Sequence, residues 1–460
     1  MKTRITALLL TATMLAALGV NAATPEPSPA SEEPAAAVAE MEAAQPAEEP
    51  RLEEAAQAKP APDADGTLSF HNLRGRMMKS YYPLLTLSEN IKTLEEWDYK
   101  RTEDDLRDKL NEIADQQWRA ISAPPIDPLA LAASGMGEAA IAGTVAGTSA
   151  ASAAVSPIIR SQLQMQYNGY EEAFDNVRKG KLQADNEGVK RQLRNLQNQT
   201  VIMAESLFIT CKGLAAQDAT LTRTVASLER TEREMKLRHE LGQISELALQ
   251  QVSAGLAQAR SGQKTLQMNL GNIMLQLKTM SGVPLNAALN LGALPQTTAA
   301  QLAAMDPEKD LAKAQEASYE LYDAKKAYDD AKEAYDDARM EYGEASSANE
   351  WMQAKHTWQA AQYTYENAKQ NYELKFRTLY AQVKDAAQVL EAKRTALAAQ
   401  EKSYAADALK YGQGALSANA LADAKDALAK AKDEAASAER DLFAQYRSYE
   451  NAVTYGILNS

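Results

Sequence analysis

The stretch "LKYGQGALSANALADAKDAL", residues 409–428, places Gly412, Gly414 and Ser417 in a proline-free tract that otherwise reads as continuous helix. A glycine at the C-terminus of a helix readily takes up a positive φ. A serine three residues after Gly414 can accept a hydrogen bond from the N–H groups that begin the next helix. The stretch therefore predicts the tip of a hairpin between two helices.

The same order of residues occurs earlier, in "RHELGQISELALQQVSAGLAQA", residues 238–259, where Gly242 is followed by Ser245. Each of these residues lies 172 positions before its counterpart in the other stretch. The same offset pairs Ile244 with Leu416, Ala248 with Ala420, Leu249 with Leu421, Leu256 with Leu428 and Ala259 with Ala431. An internal repeat explains this agreement.

Prolines divide the rest of the chain, because a proline inside a helix costs about 3 kcal/mol. None lies at 158–283 or after Pro307. The breaks predict long helices at about 68–122, 158–241, 307–342 and 350–411, and shorter ones at about 246–281 and 418–456. We therefore place repeat 1 at 67–295, with a Pro/Ala/Gly loop at 123–157 and a tip at 242–245. Repeat 2 is placed at 296–460, with a tip at 412–417.

The segment "LYDAKKAYDDAKEAYDDARMEY", residues 321–342, repeats every seven residues, with Ala324, Ala331 and Ala338 in one register. Leu321 and three tyrosines recur at the same spacing beside this seam. A seven-residue repeat indicates left-handed coiled-coil packing. Alternating strand patterns are almost missing from the sequence. We therefore predict an all-α fold of long antiparallel coiled-coil hairpins in two internal repeats, with little or no β-strand.

The N-terminal residues predict export. Lys2 and Arg4 precede the apolar run "ITALLLTATMLAALGV", and "VNA" fits the small-x-small cleavage rule. This is the pattern of a signal peptide at 1–22. Residues 23–66 are rich in Pro, Ala and Glu and predict a disordered tether.

Composition excludes several classes of function. The net charge of −13 argues against binding to nucleic acid. The single cysteine, Cys211, rules out an intramolecular disulfide, and its apolar surroundings predict a buried residue. The three histidines are scattered without metal-ligand spacing, and phosphate loops and nucleophile elbows are missing. We predict no catalytic residue, metal or cofactor, and no enzyme activity.

Taken together, the two tips resemble the signature of the TolC-like outer-membrane efflux protein family. That signature is a helix-ending glycine, a Ser/Thr three residues later and an acidic/aliphatic/Leu/acidic/Ala string, and it occurs twice per chain. The second repeat matches it at Gly414, Ser417, Leu421, Asp423 and Ala424, and the first repeat matches it more loosely at Gly242, Ser245, Leu247 and Leu249. The resemblance extends over roughly 67–460.

The resemblance implies a trimer whose helices form a hollow α-barrel with the tips at its inner, periplasmic end. It also implies an aperture ringed by acidic side chains just after the second tip. Asp423 matches one of these positions, and Ala420 stands where the family has a second acidic residue. Asp423 is therefore a candidate aperture residue, with a solvated helix-face carboxylate as the alternative.

The sequence departs from the family at the end of the hairpins opposite the tips, which we call the opposite pole. Family members carry two transmembrane strands in each repeat, between the first helix and the long helix. We call the segment between the first helix and the long helix of each repeat a slot. In this sequence the slot of repeat 1 is the loop at 123–157, and the slot of repeat 2 is only "GEASSAN". A membrane strand needs about 9 to 11 residues, so we predict that this chain lacks the usual barrel strands.

Three tryptophans cluster near these slots: Trp118, Trp351 and Trp358. Tryptophan favours membrane interfaces, which makes this pole a candidate for membrane contact. The alternative is that the tryptophans fill the end of a helical bundle and that the loop at 123–157 is a flexible linker.

Two functions follow from this sequence. The leading hypothesis is a homotrimeric helical conduit for export in the periplasm, outer membrane or cell envelope, which works with a periplasmic adaptor and an inner-membrane pump. The alternative is a coiled-coil envelope spacer or scaffold that has the same helices and no pore.

Overall fold

The computed structural model of the protein describes residues 63–64, 66–121, 161–343 and 349–458. All of them belong to one unit, residues 60–460. The predicted signal peptide (1–22), most of the predicted tether (23–66) and the segments 123–157 and 344–348 lie outside the described residues.

Helices make up nearly all of the described chain, as predicted, and the all-α fold class is confirmed. In chain order the helices are α1 (Phe70–Ser80), α2 (Tyr82–Glu95), α3 (Tyr99–Ile121), α4 (161–178), α5 (Lys181–Glu240), α6 (Glu246–Ser281), α7 (Ala299–Ala303), α8 (Pro307–Ala317), α9 (Tyr319–Tyr342), α10 (Asn349–Gly412) and α11 (Ala418–Tyr455). Two short strands, β1 (Thr67–Leu68) and β2 (Asn290–Leu291), pair in parallel with Thr67 opposite Asn290.

The longest helices form two antiparallel hairpins. Helix α5 has 60 residues and α10 has 64, so each is about 90 to 95 Å long at a rise of 1.5 Å per residue. Helix α6 returns along α5, with Arg260 bonded to Glu229 near the tip and Gln267 bonded to Asp218 above it. Helix α11 returns along α10 and packs also on α5 and α8.

The duplication seen in the sequence extends to the core. Residues 172 positions apart in the two hairpins are both buried: Ala204 and Phe376, Cys211 and Val383, Leu277 and Tyr449, and Met280 and Ala452. Lys212 and Lys384 are also 172 apart, and each donates a hydrogen bond from Nζ to a backbone carbonyl oxygen of the connection between the repeats, at Leu291 (3.0 Å) and Leu302 (2.9 Å). Equivalent positions thus have equivalent packing in both repeats.

The predicted helix at 68–122 is wrong, because the structure breaks it into α1, α2 and α3. Pro83 lies in the first turn of α2, where a helix tolerates a residue without an N–H group. A second break precedes α3, where the Asp98 carboxylate accepts a hydrogen bond of 2.9 Å from the Arg101 N–H. The chain therefore bends twice between α1 and α3.

Two other predicted helices are interrupted once each. The predicted helix at 158–241 is broken at Gly180, which adopts φ = 75°, and only residues from 161 onward are described. The predicted helix at 307–342 is broken at Ser318, which has extended dihedral angles and caps α9 by accepting a hydrogen bond from the Leu321 N–H. In contrast, the predicted ends of α6, α10 and α11 agree with the structure to within about two residues.

Each repeat closes at a contact between a glycine and a serine. Gly282 caps α6 in the left-handed conformation and lies against Ser80, at the break between α1 and α2. Gly456 caps α11 in the same conformation and lies against the backbone of Ser318, at the break between α8 and α9. The last helix of each repeat therefore ends where the first helix of that repeat bends.

The seven-residue seam of α9 contains more aromatic side chains than predicted. Tyr328 stacks on Tyr365 with a centroid distance of 6.0 Å, and Tyr335 stacks on Trp358 at 4.9 Å. The alanines of one register, such as Ala331, are half-buried between them. The tyrosines predicted to lie beside the seam therefore form part of it.

The described chain begins before the predicted boundary at 66/67. The Asp63 carboxylate accepts hydrogen bonds from the Ser69 N–H (3.2 Å) and from Asn72 Nδ2 (2.9 Å). Burial alone would raise the pKa of Asp63, but these hydrogen bonds and the charge of Arg76 lower it below its usual value. The carboxylate thus anchors the start of α1.

The Gly456 contact can be tested against a matched glycine. A Cβ at position 456 would lie 2.3 Å from the Ser318 Cα, whereas a Cβ at Gly414 would meet nothing within 4 Å, although both residues have positive φ. We expect Gly414→Ala to lower the free energy of unfolding by about 1 kcal/mol, from backbone strain alone. Gly456→Ala should lower it by about 1 to 3 kcal/mol more, because of the clash. Urea unfolding followed by circular dichroism measures both, and equal losses would contradict the contact.

Candidate functional site: the hairpin tips and the joint between the repeats

The first tip is a tight turn built from the backbone. Gly242 adopts φ = 69°, and its N–H donates to the His239 carbonyl oxygen at 2.9 Å. The Gln243 N–H donates to the Arg238 carbonyl oxygen at 2.8 Å, which completes the Schellman pattern that ends a helix. Ser245 then caps α6, because its Oγ accepts from the Ala248 N–H at 3.3 Å.

The second tip repeats this geometry. Gly414 adopts φ = 75°, and its N–H donates to the Tyr411 carbonyl oxygen at 2.9 Å. The Ala415 N–H donates to the Lys410 carbonyl oxygen at 2.9 Å. Ser417 Oγ accepts from the Ala420 N–H at 3.2 Å and caps α11. Gly412, which the sequence also places in the tip, is the last residue of α10 and precedes the left-handed glycine.

Both tips expose a leucine at equivalent positions. Leu237 is 57% exposed and Leu409 is 68% exposed, and the two residues are 172 positions apart. Leu241 and Leu247 add 64% and 65% exposed side chains to the first tip. The tip motif in the sequence includes Leu247 but not Leu237 or Leu409, although extending the 172-residue offset back from the glycines finds both.

Asp423, the candidate aperture residue, is exposed on the second turn of α11. Three residues further on, Asp426 forms an ion pair with Arg230 of α5. The face of α11 that carries Asp426 therefore meets repeat 1. An aperture role for Asp423 stays a prediction.

The three tryptophans of the opposite pole differ in their surroundings. Trp118 is 68% exposed near the end of α3. Trp351 and Trp358 are half-buried, and both rings face Tyr335, with centroid distances of 6.4 and 4.9 Å. Their indole N–H groups are buried and have no hydrogen-bond partner within the described chain. The structure therefore brings two of the three tryptophans together in the contact between α9 and α10.

The joint between the two repeats is centred on Arg447 of α11. Its Nε and Nη2 donate to the two carboxylate oxygens of Glu205 on α5, both at 2.8 Å, and Nη1 donates to Glu450 at 2.6 Å. The Glu205 side chain is only 6% exposed. Burial alone would lower the pKa of Arg447, but its bonds to Glu205 and the charges of Glu205 and Glu450 raise it. Arg447 and Glu205 therefore form a bidentate ion pair in a largely buried region, where the dielectric constant is low.

The joint continues in both directions from this ion pair. Phe443 of α11 joins the core of repeat 1, with its ring 5.1 Å from that of Phe70, which in turn lies 5.6 Å from the ring of Phe208. Toward the tips, Arg223 pairs with Asp433 of α11. Closer still to the tips, Asn419 donates to Glu234 at 3.2 Å. Helices α5 and α11 are thus antiparallel neighbours, and both tips lie at the same end.

Among the described residues, no helix combines the length and the apolar character needed to cross a bilayer. The described part of the chain also brings together no group of His, Cys, Asp and Glu side chains that could hold a metal ion. Cys211 is buried, as predicted, and burial raises the pKa of its thiol.

Comparison with known proteins gives structural similarities alone. No protein-family model matches the chain, and no curated protein matches its sequence. The outer-membrane channel OprN matches with a TM-score of 0.47 and 15% identity over 63% of this chain and 72% of OprN. The outer membrane protein VceC of Vibrio cholerae matches with a TM-score of 0.41 and 11% identity over 58% of this chain and 74% of VceC.

CusC is a protein whose crystal structures describe the conformational changes that accompany transmembrane channel formation. It matches with a TM-score of 0.40 and 15% identity over 60% of this chain and 74% of CusC. These proteins are of the class that the sequence resembles. Because the TM-scores are below 0.5, we infer neither shared function nor shared assembly from these similarities.

The joint predicts a large effect of removing one charge. Glu205→Ala leaves the half-buried Arg447 guanidinium without its bidentate partner and with Glu450 alone, so we expect the free energy of unfolding to fall by about 2 to 3 kcal/mol. The matched control is Glu95→Ala, which removes an exposed ion pair with Arg194 (44% and 51% exposed) and should cost about 0.5 kcal/mol or less. Urea unfolding compares the two variants, and similar losses would show that the joint does not depend on the buried pair.

Proposed function

We propose that this protein is an exported component of the cell envelope. Three copies stand side by side as a helical conduit for export, with a periplasmic adaptor and an inner-membrane transporter as partners. The number of copies and the partners come from the sequence resemblance to TolC-like efflux proteins. The physical support comes from the geometry of this chain.

The observation that carries the proposal is the arrangement of the two hairpins. Arg447 with Glu205 and Arg223 with Asp433 join α5 to α11 along much of their length. In the half of the molecule nearer the tips, the helices therefore lie side by side in the order α6, α5, α11 and α10, with both tips at one end. A row of antiparallel helices with two free edges is a segment from which side-by-side copies build a wall.

The tips provide a docking end in this proposal. Exposed Leu237 and Leu409 lie one turn before each hairpin turn, and both turns are held by backbone hydrogen bonds. Rigid apolar side chains at equivalent places suit a partner that contacts both tips in the same way. In the assembly this partner is the adaptor, and Asp423 lies just behind its contact.

The opposite pole provides the candidate membrane contact. Trp118 is exposed, and Met340 and Tyr342 at the end of α9 are 79% and 41% exposed. Trp and Tyr side chains favour the interface between a bilayer and water, and Met340 adds exposed apolar surface beside Tyr342. Trp351 and Trp358 stabilise the helix pair that carries this surface through their contacts with Tyr335.

The assembly is tested by the mass of the purified exported chain. We expect multi-angle light scattering to give three times the mass of one chain. A monomer would exclude the conduit. Two further results together would favour the spacer or scaffold instead. One is an elongated trimer that conducts no ions in planar bilayers, and the other is a gene deletion that leaves the host's tolerance to toxic compounds unchanged.

Docking at the tips is tested by a double substitution, Leu237→Glu with Leu409→Glu. Charged side chains cannot enter an apolar contact without desolvation, so we expect the adaptor and transporter to be lost from the complex after in-cell crosslinking and mass spectrometry. The matched control is Leu374→Glu, at a 65% exposed position of α10 about 55 Å from the tip. Equal recovery of the partners with all variants would contradict docking at the tips.

A further inference from the structure

Repeat 1 has two breaks that the described helices of repeat 2 do not have. One lies at residues 96–98, between α2 and α3, and the other lies at Gly180, between α4 and α5, where φ is 75°. The Tyr99 hydroxyl accepts a hydrogen bond of 3.0 Å from Asn186 Nδ2, so the two breaks are at the same level. Beyond this level α3 and α4 form a pair of helices that we call the arm.

Equivalent positions in the first helices of the two repeats are 238 residues apart. Ser80 and Ser318 define this offset, because each lies at a bend that the final glycine cap of its repeat contacts. The same offset places Trp97, in the first break, at the position of Tyr335. Helix α9 runs through Tyr335 without a break.

Equivalent positions in the long helices are 172 residues apart, which places Lys179 at the position of Trp351 and Asn186 at that of Trp358. Helix α10 runs through both tryptophans without a break. Tyr335 faces their two rings, with centroid distances of 6.4 and 4.9 Å. We call these three aromatic residues the clamp. It holds repeat 2 at the level where repeat 1 is broken.

The residues that replace the clamp in repeat 1 contact their own helices. The indole N–H of Trp97 donates to Thr102 Oγ1 at 3.1 Å, and the ring is 41% exposed. Lys179 forms an ion pair of 3.4 Å with Asp175, one turn earlier in α4, and its side chain is 73% exposed. Neither residue fixes the arm to the rest of the chain.

The outer part of the arm is a pair of helices that cover only each other. From residue 104 to 119, the partly or fully buried side chains of α3 form one stripe: Leu106, Leu110, Ile113 and Gln117. From 161 to 172, only Leu163 and Tyr167 of α4 are half-buried, and they are one turn apart. Apart from α4, no described helix packs along α3. The position of the arm thus depends on its base.

We propose that the arm pivots as a unit at its base, with residues 96–98 and Gly180 as the two joints of a hinge. The clamp keeps the equivalent part of repeat 2 fixed. Hinges are formed by a few residues at the ends of helices that absorb changes of φ and ψ, and glycine does this without the steric limits of a Cβ. The inference goes beyond the proposed function, because it concerns one chain and needs no export partner.

The pivot divides the surface of the opposite pole into a moving and a fixed part. Trp118 lies near the end of the arm, whereas Met340 lies on α9 beyond Tyr335, and both side chains are exposed. Trp118 therefore changes its angle to a bilayer while the long helices keep theirs.

Distances between spin labels test the pivot. In the Cys211→Ala background, labels at Asp115→Cys and Gln192→Cys span the hinge, and labels at Met340→Cys and Gln370→Cys span the clamp. All four positions are exposed, and the labels of each pair are about 30 to 35 Å apart. An excess of unlabelled chain restricts the measured distances to one copy.

We expect double electron–electron resonance to give a distance distribution across the hinge at least twice as wide as the distribution across the clamp. The reason is that only the first pair of labels lies on elements joined by two breaks. Equal widths would overturn the pivot.

A substitution at the hinge changes this distribution. An alanine disfavours the left-handed conformation at least about fivefold, so Gly180→Ala favours a continuous helix from α4 to α5. We expect the distribution across the hinge to shift and to narrow to the width measured across the clamp. The matched control is Gly169→Ala inside α4, where a Cβ meets nothing within 4 Å, and it should leave the width unchanged. Equal effects of both variants, or no effect of Gly180→Ala, would contradict a joint at Gly180.

Limited proteolysis tests the hinge without any substitution. Lys179 and Lys181 flank Gly180, and both are exposed. Lys332 is exposed on α9, three residues before Tyr335. Local opening exposes the backbone to proteases, so we expect trypsin to cut after Lys179 or Lys181 at least tenfold faster than after Lys332. Equal rates would count against the hinge.

These outcomes separate the inference from the proposed function. A trimer with a narrow distribution across the hinge would overturn the pivot and leave the conduit standing. A monomer with a wide distribution across the hinge and a narrow one across the clamp would support the pivot and exclude the conduit.

Discussion

The contact between α5 and α11 is the interaction on which the rest of the structure depends. The two hairpins have separate cores, which are joined among the described residues only through Phe443 of α11. The bidentate bond between Arg447 and Glu205 requires one distance and one relative orientation, because a planar guanidinium meets a carboxylate edge to edge. Phe443 adds a buried contact that only α11 can make with repeat 1. Exposed pairs such as Arg223 with Asp433 add little energy each and extend the alignment toward the tips.

The helix ends are capped in the same way in both hairpins. A left-handed glycine and a capping serine satisfy the N–H and carbonyl groups that the ends of two helices leave without partners. At the other end, Gly282 and Gly456 let the last helix of each repeat approach the bend in its first helix. The repeats differ in their surroundings, since α11 packs on α10, α8 and α5, whereas α6 packs on α5 and α1. The shared geometry is thus a property of the repeat, and the free face of α6 follows from its place at an edge.

Local patterns predicted much of this fold. Heptad spacing, proline positions and the two Gly–Ser turns gave the long hairpins, because helix propensity and capping depend on residues only a few positions apart. The bends at Gly180 and Ser318 were missed. A single glycine is tolerated inside a long helix, and the bend at Ser318 makes sense only beside Gly456, which lies 138 residues further along the chain. Trp351 and Trp358 were grouped with Trp118, either as a membrane contact or as side chains that fill the end of a helical bundle, and the sequence does not reveal that Tyr335 contacts both of their rings.

The sequence by itself determined the helices, the turn at each tip and the equivalence of the two repeats, because each of these depends on short-range hydrogen bonds and on a regular spacing of apolar residues. Only the tertiary structure decided which helix of one hairpin lies beside which helix of the other. Glu205 and Arg447 are separated by 242 residues, and nothing in the sequence near either residue identifies its partner. That pairing leaves α6 and α10 at the edges of the row, and it thereby decides which of several similar alanine-rich faces remain free for another molecule. The physical reason is that every amphipathic helix here can pack on many partners, and a few directional contacts select one arrangement among them.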